Sequence, residues 1–467
     1  MTEGLSKMIP PWRINDLLDK VENGPIALEK DFDLKIFSKK LREVIKTYDI
    51  RFDPENIVPS DNSLADSVWK AAWDLYLDVG TFCVNTHRRI LFEEEEIREA
   101  MSAFPEKIWV GSGKDTREVY HREIEDRRRP FCVFSPSLPF SEELFLPAQM
   151  AFMQEPLADG AGAPEYMRIV GRDNRTGGPF EIQAAQGHAG MIREAARRVG
   201  RPGIYLADVQ SAVSDAAQIA ASNPEWGVRL TDGRMVGTIA ELKISNWELN
   251  KMVHFHQFGY LVMALFGPMY GGFCGGAEGV AVVNVAAHLQ GLMVNQGHMD
   301  VDFPFDIRYG NNTSRELLWA TSVTWQALAR NTPFMSMSNG MAAAGPFTEM
   351  VLYEAAAHGL VSTVSGAHLW ECFAAGNKHP DRTTPMEARM ACEVGHAAAK
   401  IGMKREDARE IATQIVKRYE KDIPKAPIGK KFQECYDPVK VKPTAEYSSL
   451  FRNVKKELQN LGIEFPY

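Results

Sequence analysis

The chain has little of what would mark a secreted, zinc-stapled or nucleotide-binding protein. Its 467 residues include only six cysteines (Cys83, Cys132, Cys274, Cys372, Cys392 and Cys435), scattered singly and without a C-x-x-C pair. That spacing excludes a short disulfide framework, argues against a structural zinc site and fits a reducing compartment. Positive charge is not in surplus either. The 53 Lys and Arg are outnumbered by 61 Asp and Glu, for a formal net charge of -8, so no global field gathers nucleic acid. The Lys-rich C-terminal stretch has acids interspersed and reads as solvated helical faces. A long uncharged stretch, Gly259 to Ala277, carries six glycines and Pro268, which suits a protein interior and not a membrane span. The opening MTEGLSKMIPPWRIND has no apolar core of a secretory signal, and a cytoplasmic protein is expected. G-x-G-x-x-G, P-loop and G-x-S-x-G patterns are all missing.

What is present is alternation. Polar helical sequence fills the first sixty residues, and a stronger helix follows in SLADSVWKAAWDLYLDVGTF, with Ser63 or Asp66 as possible caps. The acidic run Glu93–Glu96 suits the positive end of another helix. From about residue 105 short apolar runs recur at 108–110, 131–134, 167–170, 203–206, 242–244, 261–266, 303–307, 333–335 and 360–364, most of them separated by long amphipathic segments. Strand and helix alternating in this way predict an α/β fold, a (β/α)8 TIM barrel with helical extensions at both ends. The expected division is an N-terminal extension over 1–80, a barrel over 81–400, and a C-terminal extension and tail over 401–467. A doubly wound open sheet is the alternative, and no nucleotide fingerprint supports it.

Several stretches carry candidate chemistry. MYGGFCGGAEGVAV (269–282) allows close backbone approach and offers Glu278 near a helix start, though tight strand-to-helix packing explains its glycines equally well. His254 and His256 would share one face of a strand, but their surroundings are helical, which sends the rings apart and predicts no metal. VDFPFDIRYGNNTSRE ends in Arg308 and a cluster of polar donors, and MSMSNGMAAAGPFTEM offers Asn339 and Glu349. Polar groups after strands suit a ligand-orienting loop or an ordinary cap.

Taken in order, CVNTHR, VGSGKD, GRPG, AELKI, YGGFCGG, DIRYGNNTSRE, AGPFTEM, MEARM and APIGKKFQECYD resemble the monomethylamine:corrinoid methyltransferases. These pyrrolysine-containing enzymes begin methanogenesis, a one-carbon metabolism, from methylamine. The resemblance implies a (β/α)8 barrel in a symmetric homo-oligomer, with its site at the carboxyl end of the barrel. It also implies no permanently bound cofactor. The corrinoid (cobalamin) is carried by a separate small corrinoid protein that docks there.

One departure is chemical. The family's pyrrolysine, an electrophilic imine that captures methylamine, corresponds to Ala207 here. The family's two acidic neighbours of that residue correspond to Met235 and Leu265, and its glutamine to the shorter Asn339. The resemblance with these changes implies methyl transfer without pyrrolysine, from a small methylated and in particular quaternary amine. Asp208 and Asn339 are expected to orient the substrate head or a water. Tyr205, Tyr270 and Phe273 are candidate aromatic faces for a cation, beside Ala207, Met235 and Leu265. Glu278 and Arg308 are expected at the rim, with Arg308 as partner for any substrate carboxylate, and Glu349 is a further substrate-binding candidate. The alternatives are a non-catalytic barrel that binds methylamines or docks a corrinoid protein, and a TIM barrel of unrelated chemistry.

Overall fold

The computed structural model describes residues 12–207 and 213–467. Eight short parallel strands form its centre: β1 (Cys132–Phe134), β2 (Gly160–Ala161), β3 (Tyr205–Leu206), β4 (Gly233–Gly237), β5 (Leu261–Phe266), β6 (Met299–Asp302), β7 (Ser336–Met341) and β8 (His368–Phe373). They pair in the order β3-β2-β1-β8-β7-β6-β5-β4, and β8 returns to β1 with Leu369 and Trp370 beside Cys132 and Val133. A helix follows every strand, from Glu142–Met153 after β1 to Pro385–Ile401 after β8. The molecule is therefore an α/β (β/α)8 barrel, nearly closed.

The ladder ends lie at β3 and β4, and a side chain bridges the seam. Asp232 accepts from the Leu206 backbone N–H at 3.1 Å, the Arg229 N–H at 2.8 Å and the Arg193 guanidinium at 2.6 Å. Its carboxylate thus takes the place of the ladder bond that Leu206 does not make across the seam. The two strands approach so closely that a Cβ at Gly233 would lie 2.7 Å from the Ala207 carbonyl oxygen and 2.3 Å from the Tyr205 hydroxyl. Only glycine fits there.

Within the strands, side chains alternate between barrel interior and helices. Leu261, Met263 and Leu265 join the inner cluster with Tyr205, Ala207, Met235, Met299, Val301, Met337 and Trp370. The antiparallel hairpin of Lys107–Val110 and Arg117–Tyr120 adds Ile108, Val110 and Val119 to the same cluster. It closes the amino end and leaves the carboxyl end as the open mouth.

Several strands differ from the periodicity-based expectation. The run at 108–110 belongs to the closing hairpin and not to the barrel, and 167–170 overlaps a small outer hairpin. The run at 242–244 overlaps Lys243–Ile244, which pairs with Thr81–Cys83 outside the barrel. The run at 360–364 lies inside the helix Glu349–Ser365, which is buried nearly all round and so carries apolar residues on every face. Among the extensions, Asp61 caps the helix Asn62–Val79 by accepting from Ser63 N–H at 2.8 Å, so neither Ser63 nor Asp66 is the cap. Glu93 and Glu96 form a capping box at the helix Glu94–Ala103. Among the described residues one segment, Ala277–Asn295, is long and apolar enough to cross a membrane, but 94% of it is buried inside the protein.

Candidate functional site

A cavity of about 350 Å³ opens at the carboxyl end of the barrel. All eight strands contribute to its lining through their last residues or the loops that follow: Ser137, Glu165, Val213, Met235 with Gly237 and Thr238, Leu265, Phe303, Asn339, and Trp370 with Asn377. Gln218, Glu248 and Lys251 reach in from the helices Asp215–Ala221 and Asn246–Gln257. This is the end at which (β/α)8 barrels carry their sites, and the volume suits a small molecule.

Five side chains give the cavity its apolar and aromatic part: Val213, Met235, Leu265, Phe303 and Trp370. The register places Leu265 beside Gly237 on one side and Val301 on the other, so no bulky neighbour on β4 covers it at that level. Ala207, fully buried, follows β3 in the same inner cluster as these residues, and its N–H donates to the Ala161 carbonyl at 2.9 Å.

Polar side chains make up much of the remaining lining: Ser137, Glu165, Gln218, Thr238, Glu248, Lys251, Asn339 and Asn377. Asn339 and Trp370 are register partners on β7 and β8. The Asn339 Oδ1 acceptor and the Trp370 Nε1 donor are both buried and unpaired, which is costly unless a ligand or water meets them. A brace holds Asn339 itself. The Asn312 side chain donates to the Asn339 carbonyl at 2.6 Å and accepts from the Met341 N–H at 2.7 Å, standing in for a strand at that point. Behind the brace, Glu354 accepts from Thr313 Oγ1 at 2.5 Å and from the Ala343 and Ala344 N–H groups at 2.8 and 2.9 Å. Burial pushes its carboxyl pKa up to about 7. The GNNTSRE segment thus positions β7. Lys251 is 7% exposed, with its ammonium 3.7 Å from Glu248 and 3.4 Å from the Val213 carbonyl.

Of the residues singled out in the sequence, Met235, Leu265 and Asn339 come together in the lining. Tyr205 lies deeper, its hydroxyl against the sulfurs of Met263 and Met299 at 2.7 and 3.7 Å. Asp208 lies outside the described residues. The others do not line the cavity. The Arg308 guanidinium forms a bidentate pair with Asp306, over Tyr270 at 5.7 Å and Tyr309 at 5.0 Å. Phe273 is exposed, near Lys243. Glu278 accepts from the Phe52 N–H at 3.0 Å, and Glu349 is an exposed first residue of its helix. His254 and His256 do diverge, toward Ser222 Oγ and the Asn295 carbonyl, each at 3.1 Å. Sequence reasoning missed Phe303, Trp370 and Lys251. Trp370 sat unread beside a run assigned to the wrong element, and Lys251 looked like any solvated helix lysine.

Comparison with known proteins agrees with this architecture. The family model described as Monomethylamine methyltransferase MtmB matches residues 12–463. The chain is 31% identical over 452 residues to Monomethylamine methyltransferase MtmB2 of Methanosarcina acetivorans, across 96% of this chain and 98% of the relative. It is 30% identical over the same length and shares to MtmB1 of Methanosarcina barkeri. The crystal structure of the Methanosarcina barkeri MtmB superposes with a TM-score of 0.93 at 30% identity, covering 97% of this chain and 98% of that one. A hydroxylamine complex of MtmB matches equally well. The chain is a methyltransferase and belongs to the monomethylamine methyltransferase MtmB family.

Proposed function

We propose that this protein moves a methyl group from a quaternary methylated amine to the Co(I) of a corrinoid held by a separate small protein, and does so without pyrrolysine. The observation that carries the reading is the cavity wall. Met235 and Leu265 line it where the family resemblance implies acids, and Ala207, in the same buried cluster, stands where it implies the electrophile.

The chemistry follows from the leaving group. A protonated methylamine loses its charge readily and then leaves poorly, so a covalent hold on it makes sense. A quaternary nitrogen has no N–H and no lone pair. When its methyl carbon is displaced, the C–N bonding pair stays on nitrogen and a neutral tertiary amine departs, with no proton to supply. Such a donor needs no acid in the wall and no imine. It needs an apolar, water-poor chamber that holds the methyl in line with the mouth. Aromatic faces such as those of Phe303 and Trp370 attract an alkylated cation by about 0.5–2 kcal/mol each.

The corrinoid fits as a co-substrate and not as a resident. A cavity of about 350 Å³ takes a small amine and not a macrocycle. The corrinoid supplies the methyl-accepting nucleophile when its carrier docks over the mouth. Asn339, and Asp208 outside the described residues, orient the substrate head or a water, while Glu278, Arg308 and Glu349 shape the outer rim. The protein works in the cytoplasm as a homo-oligomer.

The test is methyl transfer to a Co(I) corrinoid protein, followed by the corrinoid's visible spectrum, with a panel of mono-, di-, tri- and tetra-alkylated amines. Transfer is expected from quaternary amines. Transfer from monomethylamine and from no quaternary amine overturns the substrate assignment, and binding without any transfer favours a non-catalytic barrel.

A further inference from the structure

A bare tetraalkylammonium ion does not satisfy this cavity. It has no hydrogen-bond donor and no acceptor. The chamber nevertheless carries a buried ammonium, Lys251, whose nearest acceptors among the described residues stand at 3.4 and 3.7 Å, long for charge-assisted contacts. The Glu248 carboxylate faces Lys251 through Oε1 and serves other donors as well. Its Oε2 caps its own helix by accepting from the Ser245 N–H at 3.0 Å and from the Ser245 hydroxyl. Asn339 Oδ1 and Trp370 Nε1 add an unpaired acceptor and donor to the same lining. Buried polar groups are retained where something pairs with them.

The geometry points to a zwitterionic methyl donor, a quaternary ammonium that carries a carboxylate, with Lys251 as the residue that selects the anionic end. The inference rests on the quaternary-amine reading above. The ammonium end lies against Phe303, Trp370, Met235 and Leu265, with Glu165 of the same lining as the nearby carboxylate. The carboxylate end accepts from Lys251, on the helix that follows β4, and beside Gln218. Arg308 does not take this part. Its guanidinium is already bidentate on Asp306, outside the cavity.

Calorimetric titration of the purified chain tests this without any corrinoid. The probes are tetramethylammonium, choline, N,N,N-trimethylglycine and 4-(trimethylammonio)butyrate. At least one carboxylate-bearing probe is expected to bind tenfold or more tighter than choline, which matches it in the cationic end. Lys251→Met should erase that preference while choline affinity stays within about twofold, and Lys251→Arg should restore part of it. A merely structural role for Lys251 would weaken all probes alike. Equal binding of choline and both carboxylate probes to the parent protein overturns the zwitterion and leaves the quaternary-amine reading standing. No binding of any probe overturns both. Because the parent protein alone decides between these, a variant that fails to fold does not rescue the inference.

Discussion

Replacing Asp232 with alanine should loosen the barrel at the seam where the described residues of β3 and β4 form no ladder. The carboxylate holds three donors at once, the Leu206 and Arg229 N–H groups and the Arg193 guanidinium, and it is fully buried. Breaking a buried charge pair costs about 3–5 kcal/mol. Arg193 keeps the carbonyls of Gly227, Pro202 and Ile204, which puts its share at the low end, about 3 kcal/mol. The buried Leu206 N–H left without an acceptor adds about 1–3 kcal/mol, whereas the Arg229 N–H is partly exposed and turns to water. The sum is a loss of about 4–6 kcal/mol. Asp232→Asn retains an acceptor for Leu206 but no charge for Arg193, and should lose roughly half of that. Urea unfolding reads the global effect. Amide hydrogen exchange at Leu206 reads the local one, and protection there should fall in the alanine variant before it falls in β5 or β6. Since β3 leads into Ala207, methyl transfer should drop as well. An alanine variant within about 1 kcal/mol of the parent, with Leu206 still protected, would refute the assignment of the seam to Asp232.

Other perturbations follow from the same geometry. Gly233→Ala places a methyl against the Ala207 carbonyl, which cannot swing aside, and should cost about 1–3 kcal/mol in a denaturation series. Asn312→Ala removes both brace bonds to β7 and should cost about 2–4 kcal/mol while raising the KM for the amine, because Asn339 loses its fixed position. Glu354 gives a pH test. Its folded pKa, raised to about 7, exceeds the ordinary carboxylate value, so its contribution is intact below about pH 4.5 and is lost as pH rises toward 7. Glu354→Gln has no such loss. Its stability relative to the parent should therefore rise by about 3 kcal/mol between pH 4.5 and 7.5 in paired thermal melts, on top of a constant penalty for its mismatched amide. A difference that does not change with pH would place the titration elsewhere.

How much of this could be read from sequence depended on what each strand faces. The run at 261–266 coincides with β5 because LVMALF is apolar on both sides, its outward residues packing against helices. By contrast β4, β6 and β7 read GRMVG, MDVD and SMSNGM, and were displaced to apolar runs nearby. Their outward faces carry polar groups that pair with what packs outside the barrel. Arg234 stacks on Tyr260, Asp302 accepts from Asn284 at 2.6 Å, and Ser338 bonds His358 at 3.2 Å. Period-two hydrophobicity cannot register a strand whose outer face is charged. At the site, Asn339 was legible as a polar group at a strand end, whereas Met235 and Leu265 were legible only through the family resemblance, since nothing in their spacing marks them. Lys251 has Glu248 three residues before it, the pattern of a solvated helix pair. Burial turns it into a cavity group, and burial is a tertiary fact.

The most direct measurement is a single turnover with a trideuteromethyl quaternary amine and a Co(I) corrinoid protein, with the tertiary amine, the methylated corrinoid and the intact mass of the chain followed together. The account predicts labelled methyl on the corrinoid and tertiary amine in equal amounts, with the mass of the chain constant throughout. An amine-sized increment on the chain that grows and decays with turnover, or transfer from monomethylamine alone, would contradict it.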